Sequence, residues 1–255
     1  MATEDYRWKS DAPLVIAHRG ASSIAPESTL HAFRCAVEGG ADAVEMDLKL
    51  SRDGVIVVHH DQSLDRTTDG KGFVADWTWS ELSRLDAGIH YGAEFLSAGI
   101  PRLQDVFDEM GDRLLYNLEL TEYRRPFTSL TEDTVELVRA YDLEECVLYS
   151  SFSPIELFRA ARLVDRERLA LLVHERTPAF TRALMRWITP HAFFHPSDEM
   201  TTQQLIDQSH AGGKSVNVWT VNEHDRMRDL FEWGADGLIT DAPDIACRIR
   251  AELES

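Results

Sequence analysis

The chain is predicted to be an α/β protein, a single (β/α)8 TIM-type barrel with an insertion after its second strand. Three observations carry that expectation. Eight short apolar, β-rich runs recur along the chain, and helical stretches with apolar residues at spacings of three and four lie between most of them. The length of 255 residues suits one barrel of this kind, which commonly takes about 250. An open doubly wound sheet is the alternative that the same alternation allows.

The elements run in order. Leu14–Ala17 is the first strand, Thr29–Glu38 a helix, and Ala43–Leu48 the second strand. After the Asp53-Gly54 turn comes a short extra strand, Val55–Val58. The stretch from Leu64 to Arg102 holds no clean βα unit and carries Trp77, Trp79, Tyr91 and Phe95. It is expected to be an insertion, about residues 62–103, beyond the rim where barrel active sites gather. Strands are then expected at Leu114–Leu120, Cys146–Phe152, Leu169–His174, Ala192–His195, Ser215–Val221 and Gly237–Thr240. Helices are expected at Thr131–Tyr141, Pro154–Leu163 and Thr202–Ala211. Asn222 before Glu223–Trp233, and Asp241-Ala242-Pro243 before the terminal helix, read as helix starts. Residues 1–255 form one domain on this reading.

Composition removes several functions. A net charge of −18 argues against a nucleic-acid surface, which needs clustered Lys and Arg. No run of about 18 apolar residues occurs, so no stable membrane insertion is expected. Met1-Ala2-Thr3-Glu4-Asp5-Tyr6 has neither a basic nor an apolar signal region. Cys35, Cys146 and Cys247 are widely spaced with no CxxC, as expected for reduced thiols, and the expected location is cytoplasmic.

Two histidines, His18 and His60, open tight polar clusters, and between them lies Glu45-Met46-Asp47 inside an apolar run. On a strand, residues i and i+2 share a face, so Glu45 and Asp47 point the same way. Two buried like charges need something positive between them. A divalent cation flanked by two proton-transferring histidines accounts for the arrangement and outlines a phosphodiester-cleaving site. By alternation His59 faces away from His60, as a structural residue would.

His18-Arg19-Gly20, Ala25-Pro26-Glu27-Ser28-Thr29, Glu45-Met46-Asp47, His60-Asp61, Leu64-Asp65-Arg66-Thr67-Thr68, Ile100-Pro101-Arg102-Leu103, Asn117-Leu118-Glu119, Val216-Asn217-Val218-Trp219-Thr220-Val221-Asn222 and Gly237-Leu238-Ile239-Thr240-Asp241 follow one another in that order. As an ordered set, spanning nearly the whole chain, they resemble the glycerophosphodiester phosphodiesterase family. The resemblance implies a barrel with an insertion after the second strand. It implies hydrolysis of a small-molecule glycerophosphodiester to sn-glycerol 3-phosphate and an alcohol, with His18 and His60 as the acid–base pair. Glu45, Asp47 and Glu119 correspond to ligands of one divalent cation, and their hard oxygens suit Ca²⁺ or Mg²⁺, with Mn²⁺ also possible. Arg19 corresponds to a phosphate-binding residue and Trp219 to a substrate contact.

His195-Pro196, after the sixth strand, is a further candidate for the pocket wall, as is His174-Glu175 after the fifth; His210 and His224 fall on helices as solvated residues. Two positions depart from the family. Ser28 stands where Asn is usual and is expected to cap the following helix. Thr121 stands where a Lys is usual, which leaves Arg19 and the cation as the evident positive charges, with Arg124 and Arg125 close downstream. Tyr123 is expected near the rim. A lysophospholipase D-like or sphingomyelinase D-like phosphodiesterase on the same barrel is an alternative, as is a non-catalytic phosphate-ester binding protein. The short insertion and the expected lack of an amphipathic membrane-binding helix favour water-soluble diesters.

Overall fold

A computed structural model of the chain describes residues 6–121 and 128–254. Among them, eight parallel strands close a barrel: β1 (Leu14–His18), β2 (Ala43–Leu50), β4 (Leu115–Leu120), β5 (Val147–Ser151), β6 (Leu169–Val173), β7 (Phe193–Pro196), β8 (Ser215–Val218) and β9 (Gly237–Thr240). Pairing of β1 with β2 completes the circle, so the sheet is closed rather than open and doubly wound. The extra strand, β3 (Ile56–Val58), runs antiparallel to the end of β2, with Leu48 opposite Val58 and Leu50 opposite Ile56.

The alternation along β2 explains its burial. Every residue of AVEMDLKL is buried, because one face lines the barrel interior and the other packs under helices. Met46 and Leu48 join Leu103, Val106 and Phe107 in the main core, while Glu45, Asp47 and Lys49 occupy the opposite, inner face. The helices are α1 (Leu30–Glu38), α2 (Trp79–Leu82), α3 (Leu103–Met110), α4 (Leu130–Ala140), α5 (Pro154–Ala160), α6 (Ala179–Ile188), α7 (Gln203–Ala211), α8 (His224–Glu232) and α9 (Pro243–Leu253).

Helix starts follow local chemistry, with three corrections. Thr29, not Ser28, caps α1, its hydroxyl accepting from the Ala32 N–H at 3.3 Å. Ser28 sits one residue earlier at φ 58°, the left-handed region that Asn tolerates better than Ser. The terminal helix α9 opens at Pro243, as the Asp241-Ala242-Pro243 segment leads one to expect, but the residue before it is Ala242 rather than Asp241. Likewise α8 follows Glu223 rather than Asn222, because the Asn222 and Asp241 side chains are committed elsewhere. Strand bounds shift as well: β8 stops at Val218, three residues before the expected end, and β5 starts one residue late because Cys146 lies in a helical turn before it.

The segment between β3 and α3 has its own small core of Val57, Leu64, Val74, Leu82 and Ile100. It is anchored at the end of β2, so it stands over the barrel's C-terminal mouth. No amphipathic membrane-binding helix is expected from the sequence; one helix, α6, carries an exposed apolar stripe. In α6, Phe180 is 80% exposed and Trp187 84%, with Leu184 and Ile188 on the same outward stripe. No helix among the described residues is long and apolar enough to cross a membrane. All three cysteines are free thiols.

Candidate active site

Parallel register brings the inner residues of three strands abreast. His18 of β1 stands beside Glu45 of β2, Glu45 beside Asn117 of β4, and Asp47 beside Glu119. They line a cavity of about 340 Å³ at the barrel mouth, together with Arg19, Lys49, His60, Asp61, Gln62 and Thr121. Phe152, Leu172, Trp219 and Ile239 form its apolar wall.

Glu45, Asp47 and Glu119 offer oxygens within 4.8 Å of one another. Burial, then the neighbouring charges of Asp47 and Glu119, push the Glu45 carboxyl well above its ordinary pKa. The Asp47 Oδ2 is buried with no hydrogen-bond partner, and so are both amide atoms of Asn117. The Arg19 Nε lies 3.5 Å from Asp47 Oδ2, an ion-pair separation that makes no hydrogen bond. Three crowded carboxylates with an orphaned oxygen among them fit a hard divalent cation.

Arg19 is held by its backbone. Its φ is 56°, and its N–H lies 3.1 Å from the Glu45 carbonyl and 3.2 Å from Glu45 Oε2. Gly20 follows at φ 86°, and a Cβ there would come within 2.6 Å of Ala32 on α1. Only glycine fits this close approach. The guanidinium donates to Glu27 Oε1 at 3.0 Å.

Each cavity histidine has a carboxylate on its Nδ1. His18 Nδ1 lies 2.6 Å from Asp241 Oδ1, and His60 Nδ1 lies 2.7 Å from Asp61 Oδ1. Since a carboxylate only accepts, Nδ1 carries the proton and Nε2 is left for chemistry. His18 Nε2 is 4.0 Å from Glu45 Oε2. Burial opposes ionisation of Asp241, but the hydrogen bond and charge of His18, with the Asn222 amide at 2.6 Å and the Ser22 hydroxyl at 2.9 Å, hold its pKa at about 2. Asp61 is likewise held at about 2 against burial by Arg66 and His60. Arg66 also forks onto Glu27 at 2.6 and 2.7 Å, so one chain of charges links His60 to Arg19. Burial lowers the His60 pKa, against the pull of Asp47.

The structure thus gathers His18, His60, Arg19, Glu45, Asp47, Glu119 and Trp219 around one cavity. It does not bring His195 there. His195 is fully buried under Trp219, whose Nε1 donates to its carbonyl at 2.9 Å, and burial lowers its pKa to about 3. His174 touches the Trp219 ring edge at 5.6 Å and pairs with Glu175 without lining the cavity. His59 is buried, its ring donating to the Ser63 carbonyl at 3.0 Å. His210 and His224 are exposed, as expected. Tyr123, Arg124 and Arg125 lie outside the described residues.

Sequence reasoning missed three participants. Arg19 is not the only evident protein cation at the site: Lys49 lines the cavity too. It continues the i, i+2 series from Glu45 and Asp47, which was the available signal. Asp61 and Asp241 give their roles away only by standing next to a histidine or at the end of the last strand.

The family model described as the glycerophosphoryl diester phosphodiesterase family matches residues 18–245. The glycerophosphodiester phosphodiesterase of Caldanaerobacter subterraneus subsp. tengcongensis is 36% identical over 234 residues, covering 91% of this chain and 95% of its own. That of Bacillus altitudinis is 32% identical over 247 residues, covering 94% and 99%. Among solved structures, an Oleispira antarctica phosphodiesterase in complex with the product sn-glycerol-3-phosphate superposes with a TM-score of 0.80 at 30% identity, covering 97% of this chain and 99% of that one. The Agrobacterium tumefaciens glycerophosphodiester phosphodiesterase gives 0.80 at 27% identity, covering 92% and 99%.

Proposed function

The chain belongs to the glycerophosphoryl diester phosphodiesterase family, and we propose that it hydrolyses water-soluble glycerophosphodiesters to sn-glycerol 3-phosphate and an alcohol. One observation carries this reading. Three carboxylates and two histidines, each histidine with a carboxylate on Nδ1, converge on one cavity at the barrel mouth.

Glu45, Asp47 and Glu119 hold one divalent cation, Ca²⁺ or Mg²⁺, with Mn²⁺ able to substitute. When bound, the cation supplies positive charge that stabilises the phosphoryl oxygens. Arg19 presents its guanidinium to a non-bridging oxygen. One of His18 and His60 removes the proton from the nucleophile through Nε2, and the other protonates the departing alkoxide. Asp241 and Asp61 keep the rings in the tautomer that this requires. Phe152 and Trp219 meet at 5.3 Å and offer an apolar surface to the alcohol portion of the substrate. The reading also takes from the sequence a cytoplasmic location and the absence of a nucleic-acid partner, the latter supported by the net charge of −18.

The test is a screen of glycerophosphocholine, glycerophosphoethanolamine, glycerophosphoglycerol and lysophosphatidylcholine with released products identified. Release of sn-glycerol 3-phosphate from the first three is expected. Turnover of lysophosphatidylcholine alone would move the function to lysophospholipids, and no turnover of any would refute the reading. Release of a glycerol cyclic phosphate would identify the substrate's own 2-hydroxyl as nucleophile, and its absence under rapid quench would identify water.

A further inference from the structure

We propose that Lys49 is a substrate-binding residue of this site, its ammonium meeting a phosphodiester oxygen while Thr121 holds it in position. The inference rests on the functional reading above. Lysines on barrel strands ordinarily carry their charge out to water along an apolar stem. Lys49 is 1% exposed and lines the cavity instead. It follows Asp47 by two residues on β2, so it shares the inner face with both carboxylates of that strand. Its Nζ donates to the Thr121 hydroxyl at 2.7 Å, and that hydroxyl donates in turn to the Leu48 carbonyl at 2.8 Å. With its hydrogen committed to Leu48, the Thr121 oxygen turns a lone pair towards the ammonium. Gln62 donates to the Thr121 carbonyl at 2.9 Å, fastening the segment over the mouth to the same corner. Lys49, Thr121 and Gln62 form a polar corner that the cavity shares with the three carboxylates.

Charge balance gives this corner its role. Glu45, Asp47 and Glu119 balance one divalent cation and the Arg19 guanidinium in formal charge, Asp61 being paired with Arg66 at 2.6 Å, and Glu27 draws on the Arg19 guanidinium at 3.0 Å. An incoming phosphodiester would then leave one negative charge uncompensated in a largely buried space, which is costly. The Lys49 ammonium lines the same cavity and brings positive charge to bear on a phosphodiester oxygen. A cation from β2, steadied by a hydroxyl from β4, thus serves the bound phosphate.

The experiment compares wild type with Lys49→Met, which keeps the stem and removes the charge, by titrating sn-glycerol 3-phosphate calorimetrically at saturating Ca²⁺ or Mg²⁺. Steady-state kinetics on glycerophosphocholine run alongside. Product affinity is expected to fall about 10–100-fold, the scale of one charged hydrogen bond, with KM rising by a similar factor. Affinity for the divalent cation is expected to hold or tighten, because a like charge has left its neighbourhood. A Lys49 that serves folding alone would lower the unfolding midpoint and leave product affinity as in wild type, and that result overturns the inference. Should Lys49→Met fail to fold, Lys49→Gln, which keeps an N–H for the Thr121 hydroxyl, decides the same ratio. Wild-type protein that turns over no glycerophosphodiester sinks the functional reading alone. The Lys49 inference is decided by the binding ratio, and a ratio near one or a wild type that binds no product overturns it.

Discussion

Asp241 reaches across 223 positions of sequence to set its Oδ1 2.6 Å from the Nδ1 of His18. The end of the last strand therefore orients a side chain carried by the first. Asp241→Asn keeps the shape and loses the obligate acceptor. It is expected to lower kcat about 10–100-fold with little change in KM; a rise in KM at constant kcat would place Asp241 in binding instead.

Replacing His18 or His60 with Ala is expected to lower kcat by about 10²–10⁴-fold. The double variant should lose little more than the worse single one, because the two act as a unit. His59→Ala removes a buried ring bound to Ser63 and should cost stability rather than turnover. Equal damage to kcat from His59→Ala and His60→Ala would reverse the assignment within that pair.

Chelation is expected to abolish activity, with Ca²⁺ or Mg²⁺ restoring it. At a hundredfold excess over its Kd the cation should add about 2.7 kcal/mol of stability. Burial and the charges of Asp47 and Glu119 oppose ionisation of Glu45, so Glu45→Gln should raise the unfolding midpoint of the metal-free protein by a few degrees. The same variant should lose most of the stabilisation by the cation. Full activity in a verified metal-free preparation would remove the cation from the mechanism.

Thr121→Lys would set a second ammonium where the first already rests, 2.7 Å from Lys49, in a position only 2% exposed. A fall in kcat/KM of tenfold or more is expected on both glycerophosphocholine and glycerophosphoethanolamine. A uniform improvement on the two substrates would mean that this corner has room and need for more charge.

Burial raises the pKa of Glu27, but Arg66 and Arg19 outweigh it and hold the carboxyl at about 2, below its ordinary 4.5. A depressed folded-state pKa contributes stability that is complete above the unfolded value and lost as pH falls through the folded one. Glu27→Gln should therefore be less stable than wild type at pH 7, by roughly 1–2 kcal/mol once solvent screening is allowed for. The gap should narrow as pH drops from 4.5 towards 2. Urea midpoints across that window measure it, and a gap independent of pH would mean that the loss comes from packing.

What could be read from the sequence follows from periodicity. Glu45 and Asp47 declare a shared face at a spacing of two, and the eight apolar runs declare the barrel. Residues that serve two kinds of structure are harder to read. Asn222 and Asp241 have the composition of helix starts, yet Asn222 donates to Asp241 and Asp241 holds His18. Ser28 and Thr29 are both capping residues, and only backbone geometry separates them. His195 has the position of a rim residue, but it is enclosed with Phe193, Phe194 and Pro196 on a fully buried strand. Lys49 could be assigned to a face; the hydroxyl that receives its ammonium inside the barrel comes from Thr121, 72 positions away.

The cavity is chemically two-sided. Charged and hydrogen-bonding groups come chiefly from β1, the β2–β3 hairpin and β4, while Phe152, Leu172 and Trp219 come from the far side of the ring. On the proposed reading, bond cleavage and substrate choice fall to different arcs of one barrel. The far arc can drift, or be redesigned residue by residue, towards bulkier or leaner alcohols while the cleaving arc keeps its geometry. In evolutionary terms, a lineage built this way can change its diet without relearning its chemistry.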